Sequence, residues 1–387
     1  MKRRKIRIAV VGAGLGGPAT ASLLQSAGYD VKVYEQSPSF SRIGAGINLS
    51  PNVMRILQRI GIGQRLADTG ARTSYWVSRA WDTGEVLLDY PLGEAAEKRY
   101  GAPYMCVHRG DFHALLMECV TPGTIEFGKR LIDLEQKKEL VQLVFEDGTR
   151  AEADLVIGAD GGRSRCRELL VGLDAPKYSG YVAHRAILPV SLLAGMQLID
   201  YMKWWGPGCT LYLTYFITRS RQEFFIVTSS PQADWPHETS SVPADLDEMR
   251  AAFAGFHPEV QRQLAIIPAA TKWANFDAEP LPVWSRGRVV LLGDACHAML
   301  PYMGQGAAMA IEDGAMLTRC LEASEDDIDH ALRLYEANRK DRTAAMQRAS
   351  RENEWLKSTA DPDWVWAYDV FQQDLLPLSK ITCTSEA

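Results

Sequence analysis

Ile6-Arg-Ile-Ala-Val-Val11-Gly12-Ala-Gly14-Leu-Gly-Gly17 decides the fold. The β-branched apolar run at 6–11 predicts a buried parallel strand. Residues 15–27, rich in Ala and Leu, predict a helix that Gly28 ends at its C′ position. Residues 31–35 predict a second strand, so the chain opens as a βαβ unit. Gly12 permits the tight strand-to-helix turn, Gly14 lets backbone approach a pyrophosphate, and Gly17 lets the helix lie close to the strand. The helix start then offers free N–H groups and a partial positive charge to phosphates. Glu35 falls at the end of the second strand, where a carboxylate can bind a ribose diol. This context favours a dinucleotide site over an ordinary tight turn.

Outward from this unit, residues 51–69 predict a helix and 73–91 a hairpin around Asp82-Thr-Gly84. Residues 108–120 predict a further helix, and 124–157 a meander of strands turning at Asp147-Gly148. The texture changes over 177–274, where alternating segments at 211–217 and 223–227 predict an antiparallel sheet followed by short helices near 246–266. A buried strand returns at 288–292, and helices follow at 306–322 and 328–350. Trp355, Trp364, Trp366, Tyr368 and Phe371 predict a packed cap over the last helices rather than a binding surface, since aromatics mostly bury.

The 387 residues are 47% hydrophobic and 23% charged, which excludes a disordered, collagen-like or coiled-coil chain. The net charge of -6 gives no reason to expect nucleic acid. The 7 cysteines are scattered and form no CxxC. Neither a disulfide framework nor a metal site is expected, and a reducing cytoplasm is. Met1-Lys-Arg-Arg-Lys5 begins like a secretory signal, but the apolar run behind it is short and broken by glycines. No stretch has the length and hydrophobicity of a membrane span.

Two more motifs carry chemistry. Asp154-Leu-Val-Ile-Gly-Ala-Asp160-Gly161-Gly-Arg-Ser164-Arg-Cys-Arg167 is an apolar strand ending in Asp-Gly before a helix. Alone, Asp160 reads as a helix N-cap. Gly293-Asp294-Ala-Cys-His297-Ala-Met-Leu-Pro301-Tyr302-Met-Gly304-Gln-Gly306 is a strand end, a Pro/Gly loop and a helix start. His297, just beyond a buried strand, reads as a structural residue rather than a base.

In this order and spacing, the three motifs resemble the single-component FAD-dependent aromatic hydroxylases, over nearly the whole chain. Tyr181-Val-Ala-His-Arg185, Lys203-Trp-Trp205, Leu281-Pro-Val-Trp-Ser-Arg-Gly-Arg288 and Leu332-Arg-Leu-Tyr-Glu-Ala-Asn-Arg-Lys340 resemble one branch more closely. That branch hydroxylates a 6-hydroxynicotinate-like pyridine at its carboxylate-bearing carbon and expels CO2. The resemblance implies an α/β fold. A Rossmann-like FAD-binding domain (1–72, 98–176, 275–350) would interleave with an antiparallel-sheet substrate domain (73–97, 177–274), before C-terminal helices and a cap (351–387).

It also implies residue roles. Gly12, Gly14, Leu15 and Gly17 would hold the FAD pyrophosphate, and Glu35 and Gln36 the adenosine ribose. Arg109 would neutralise phosphate or ribitol, and Leu131 would present backbone to the adenine. Asp160 would serve FAD and the reductant together, and Asp294 the ribitol. Gly304, Gly306 and Ala307 would face the flavin pyrimidine ring, where a helix start stabilises the anionic reduced flavin. FAD would be bound non-covalently. With only one dinucleotide fingerprint, NADH or NADPH would visit transiently. Oxygen would be activated as a flavin C4a-hydroperoxide.

The chain departs from that branch where Asn48 and Tyr302 replace histidines, where a third histidine is missing near positions 210–211, and where Tyr201 replaces a cysteine. An active-site tyrosine is kept as Tyr215. Asn48 can hydrogen-bond a substrate but cannot take a proton; it reads equally as a turn residue before Ser50-Pro51-Asn52. Tyr215 is the leading acid/base candidate, with Tyr302 and Tyr201 as alternatives, while Asn48 is a candidate hydrogen-bond partner of the substrate. With an ordinary pKa of about 10, Tyr215 needs either a lowered value or a role as a hydrogen-bond relay. The bland alternative is a sheet tyrosine that fills the core.

The expected function is hydroxylation of a small aromatic or N-heteroaromatic acid with O2 and NAD(P)H, by a monomer or homodimer. The competing readings are a flavin oxidase or reductase without oxygen insertion, and a non-enzymatic flavin redox sensor.

Overall fold

The computed structural model describes residues 6–42, 44–172, 176–325, 327–359 and 361–377. The basic start at 1–5, Cys383 and the last ten residues of the cap lie outside the described residues.

Arg7–Val11 is a central strand of a six-stranded sheet. The order is Ser285–Arg286, Val289–Leu291, Leu155–Gly158, Arg7–Val11, Asp30–Tyr34, Ile125–Glu126. All neighbours pair in parallel except the outermost, Ser285–Arg286. Val10 lies between Ile157 and Val33, and all three are fully buried. A strand covered on both faces needs an unbroken apolar run, which is what positions 8–11 supply. Because these strands share one direction, Gly12, Glu35, Ala159 and Gly293 all emerge at the same edge. In open parallel sheets this edge is where ligands bind.

A second sheet has eight strands, in the order Ser241–Pro243, Thr271–Asp277, Lys177–Pro189, Glu223–Pro231, Leu211–Phe216, Tyr201–Trp205, Tyr75–Ala80, Val86–Pro91. It is antiparallel throughout except where Tyr201–Trp205 runs beside Tyr75–Ala80. The expected hairpin at 73–91 therefore joins this sheet. A small sheet of Gly46–Leu49, Met105–His108 and Ala71–Arg72 lies between the two.

Three local expectations change. The meander at 124–157 is split: only Leu131–Gln136, Val141–Phe145 and Arg150–Ala153 form an antiparallel sheet, while Ile125–Glu126 and Leu155–Gly158 enter the parallel one. A two-residue strand carries no period to read. The helix at 51–69 is two helices, Pro51–Ile60 and Gly63–Thr69, separated by Gly61 at φ 96. Asn48 is not a turn residue, because it pairs with Cys106 inside Gly46–Leu49. The C-terminal aromatics do pack: Trp366 is fully buried, and only Trp364 is well exposed.

Candidate active site

The glycine loop is closely packed at two positions and open at a third. A Cβ on Gly12, whose φ is 104, would lie 2.4 Å from the Ala159 carbonyl oxygen. One on Gly17 would lie 2.0 Å from the Gly12 carbonyl oxygen. These two glycines allow loop, helix and neighbouring strand to close up. At Gly14 a Cβ would meet nothing within 4 Å, so that backbone faces open space. Glu35 is fixed beside the loop: its Oε2 accepts the Ala13 N–H at 2.8 Å and its Oε1 the Ser37 N–H at 2.8 Å. Gln36 is exposed next to it. Leu131 begins its strand two residues after Lys129, whose N–H donates to the Glu35 carbonyl at 2.7 Å.

A cleft of ≈ 400 Å³ opens in front of the loop. Gly14 and Leu15 form one side, Asp294, Gly304, Gly306 and Ala307 another, and Asn48, Arg109 and Tyr215 the far end. Asp160, Glu35, Gln36, Leu131 and Tyr302 are not on its wall. Ala159 and Gly161 present to the cleft instead of Asp160. The Asp160 carboxylate turns to its own helix, accepting from Ser164 Oγ at 2.6 Å and from the Cys166 N–H at 2.9 Å. The N-cap of helix Arg165–Val171 is Ser164, whose Oγ accepts the Arg167 N–H at 2.9 Å, so Asp160 is not the cap residue but supports it from the preceding loop.

Charge in the cleft is unbalanced. The Arg109 guanidinium has no hydrogen-bond or ion-pair partner among the described residues. Burial lowers its pKa, and the field of Asp294 opposes that fall. Asp294 is open to the cleft. The protein packed around it nonetheless raises its carboxyl pKa, against the fields of His297 and Arg109. Arg185 is partly buried at the far end, its pKa pushed down to about 10 by burial. Its only described partner is the Trp273 ring, 5.0 Å from the guanidinium carbon.

Asp294 is held by a buried chain of charges. Asp313 Oδ2 accepts the Gly293 N–H at 3.0 Å and lies 2.5 Å from His297 Nε2. Asp313 Oδ1 accepts from Arg339 Nε at 2.7 Å, and Arg339 also reaches Glu312 at 2.7 Å. Glu312, Asp313 and Arg339 are all fully buried. His297 therefore ties its turn to Asp313. Arg167 links this turn to the Asp160 loop, donating to the carbonyls of Ala295 at 3.2 Å and Gly162 at 2.8 Å.

At the far end Asn48 Nδ2 donates to the Tyr201 hydroxyl at 3.0 Å. Tyr215 stacks on Tyr201, with ring centroids 5.3 Å apart and planes 6° from parallel. Burial pushes the Tyr215 phenol well above its ordinary pKa, with Arg185 opposing, so Tyr215 keeps its proton. Tyr302 is hydrogen-bonded to Ser229 at 3.0 Å. It walls a recess of ≈ 50 Å³ that shares Asn48, Arg185 and Gly304 with the cleft. Asn275 also lines the recess; its buried Nδ2 makes no hydrogen bond of ordinary geometry among the described residues but lies close enough to the Tyr302 hydroxyl to pull that phenol's pKa down.

A family model described as FAD binding domain matches residues 5–350. A 6-hydroxynicotinate 3-monooxygenase from Bordetella bronchiseptica is 50% identical over 96% of this chain and 97% of its own. One from Pseudomonas fluorescens is 51% identical over the same shares. The chain belongs to the FAD-dependent aromatic-ring monooxygenases. A 3-amino-4-hydroxybenzoate 2-monooxygenase from Streptomyces cremeus is 40% identical over 91% of this chain and 87% of its own. Among solved structures, a salicylate hydroxylase substrate complex superposes with a TM-score of 0.82 at 28% identity, covering 95% of this chain and 96% of that one.

The residues of this monooxygenase fit FAD. Two closed glycines shape the loop and a third leaves it open to a phosphate. An unpaired guanidinium and the start of helix Gly306–Ala323 face the same cleft. Reading the sequence missed any role for Arg185, Asp313 and Arg339, and for Lys203, whose buried ammonium at the recess donates to the Tyr302 carbonyl at 3.2 Å and to Asn353 Oδ1 at 2.9 Å. Arg185, Lys203 and Arg339 stand in stretches that carried the family resemblance, and a cation inside an apolar strand such as 181–188 was the available signal. Asp313 stands in a helix with nothing to mark it. No helix among the described residues is long and apolar enough to cross a membrane.

Proposed function

We propose that this monooxygenase hydroxylates a small aromatic or N-heteroaromatic carboxylate of the 6-hydroxynicotinate kind. It would use O2 and NADH or NADPH, and release CO2 where the carboxylate stands on the attacked carbon. The observation that carries the reading is Arg185, a cation without a counter-ion where the FAD cleft meets the recess. The recess adds the buried Asn275 Nδ2, a second donor beside the Tyr302 hydroxyl. A substrate carboxylate answers both. Two 6-hydroxynicotinate 3-monooxygenases at 50% and 51% identity support the same class.

Bound FAD supplies the oxygen-activating chemistry. The chain does the rest. Gly12, Gly14, Leu15 and Gly17 hold the pyrophosphate, with Arg109 nearby as its counter-charge. Glu35 and Gln36 take the adenosine ribose, and the Leu131 backbone takes the adenine. Asp294 takes the ribitol, and Gly304, Gly306 and Ala307 face the flavin ring. Asp160 shapes the loop that meets the reductant. Arg185 orients the substrate. Tyr215, protonated, donates a hydrogen bond to the substrate ring oxygen and so favours the loss of that oxygen's own proton. Asn48, held by Tyr201, and Tyr302, held by Ser229, close the pocket around the ring. Residues 73–97 and 177–274 form the substrate side, and 1–72, 98–176 and 275–350 the FAD side. The six described cysteines are all free, which favours a reducing compartment, the cytoplasm.

The test is NAD(P)H oxidation by the FAD-loaded protein across hydroxylated pyridine- and benzene-carboxylates and their decarboxylated analogues. Oxidation is slow alone and accelerated by the right acid, with hydroxylated product formed. Arg185→Gln raises KM for the acid and not for the analogue. Acceleration by no acid, or O2 consumption without hydroxylated product, refutes the proposal.

A further inference from the structure

A column of touching aromatic rings runs from the cleft to the surface, and the proposed function uses none of it beyond Tyr215 and Tyr201. Tyr215, on the cleft wall, stacks on Tyr201 at 5.3 Å. Tyr201 stacks on Trp76 at 4.2 Å and 23°. Trp76 meets Trp355 at 5.9 Å, and Trp355 meets Trp366 at 5.5 Å. Trp366 meets Tyr100 at 5.8 Å. The Tyr100 hydroxyl donates to Asp363 Oδ1 at 2.7 Å, and the Asp363 side chain is 44% exposed.

Tyr and Trp are the side chains most easily stripped of one electron, and ring-to-ring contact keeps each transfer short. A tyrosine gives up its electron readily only if its proton has somewhere to go. No carboxylate bonds the hydroxyl of Tyr215 or Tyr201 among the described residues, whereas Tyr100 has Asp363. A tryptophan can lose an electron and keep its N–H. The column is thus ordered by its chemistry, with a stacked bridge of two tyrosines, then tryptophans, then a tyrosine paired with a base at the surface.

We propose that this column is a one-electron conduit through which FAD, excited by blue light, draws an electron from outside the protein. The electron leaves Trp76, crosses the stacked Tyr201 and Tyr215 rings and enters the flavin. The vacancy on Trp76 passes outward through Trp355 and Trp366 to Tyr100. Tyr100 supplies an electron and its phenolic proton moves to Asp363. Ascorbate in solution then returns one electron to Tyr100, and Asp363 returns the proton. One electron has entered the flavin and one has left ascorbate.

The test uses the FAD-loaded full chain without oxygen, substrate or nicotinamide, under blue light with ascorbate. The readings are loss of the oxidised-flavin absorption band and the transient absorption of a tryptophan radical. Wild type shows both. Trp76→Phe loses the tryptophan radical and slows flavin reduction. Tyr100→Phe still forms the radical, but it decays back to the flavin and net reduction falls. Flavin stoichiometry and circular dichroism verify that each variant is loaded and folded, and Tyr100→Phe, which removes only a hydroxyl, stands in if Trp76→Phe fails to fold. A loaded Trp76→Phe or Tyr100→Phe protein with wild-type traces overturns the proposal.

Discussion

His297 Nε2 and Asp313 Oδ2 stand 2.5 Å apart, and the same carboxylate oxygen receives the Gly293 N–H that starts the Asp294 turn. The turn that presents Asp294 to the cleft is thus set by Asp313, inside helix Gly306–Ala323. Asp313 is in turn neutralised by Arg339, beyond the reach of solvent.

Asp313→Ala leaves Arg339 buried with one carboxylate fewer and the Gly293 N–H without its acceptor. Breaking a buried ion pair from one side costs about 3–5 kcal/mol. Thermal unfolding of the variant should show a loss of that order together with poor FAD retention. An unchanged melting temperature would refute this role for Asp313.

Asp294→Ala is expected to behave differently. Its carboxylate makes no hydrogen bond to the described protein, so the fold should survive. FAD affinity should fall by about 1.5–3 kcal/mol, the worth of a hydrogen bond to a charged group. Flavin titration of the apoprotein measures it, and wild-type affinity would remove Asp294 from the cofactor site. Acid precipitation of wild type should release all the flavin, as non-covalent binding requires.

Tyr215→Phe keeps the ring that stacks on Tyr201 and removes only the hydroxyl. Because burial holds that hydroxyl protonated, the loss is of a hydrogen-bond donor rather than a base. FAD should stay bound while coupled hydroxylation drops by roughly 10²–10⁴-fold. An unchanged yield of hydroxylated product would shift the role to Tyr302 or Asn48.

His184 makes stability depend on pH. Burial, then the charge of Lys272, moves its pKa from 6.5 down to about 4. Above about pH 6.5 the ring is neutral in both folded and unfolded chains, and nothing is lost. As pH falls towards 4, the unfolded chain takes up a proton that the folded ring refuses, so stability declines. The full loss is on the order of 3 kcal/mol. Unfolding free energies measured across that range should fall less steeply for His184→Asn, and parallel curves would contradict the assignment.

Much of the site was legible because parallel strands deliver their ends to one edge. The runs at 6–11 and 288–292 read as buried parallel-type strands, which brings Gly12 and Asp294 to one edge; Leu155–Gly158, hidden in the expected meander, joins them and brings the Asp160 loop with it. The Asp160 side chain was less legible, because an Asp that caps a helix and an Asp that faces a ligand look alike in one dimension. The far end was least legible. Arg185 and Asn275 face the recess through antiparallel pairings, and their register depends on contacts between strands far apart in sequence. Nothing near Asp313 in sequence announces Gly293, because the bond joins a helix interior to a strand end 20 residues away.

The order of the six-stranded sheet bears on how the protein is made. A ribosome delivers the glycine loop first, but the strand that carries the last motif ends at Leu291, and Arg339, which neutralises Asp313, comes later still. Until that stretch emerges, the nascent βαβ unit has an unfilled sheet edge and half a cleft. Tight capture of FAD is therefore an event of the nearly finished chain. A truncation anywhere before the long C-terminal helix should leave a colourless product, however intact its opening fingerprint.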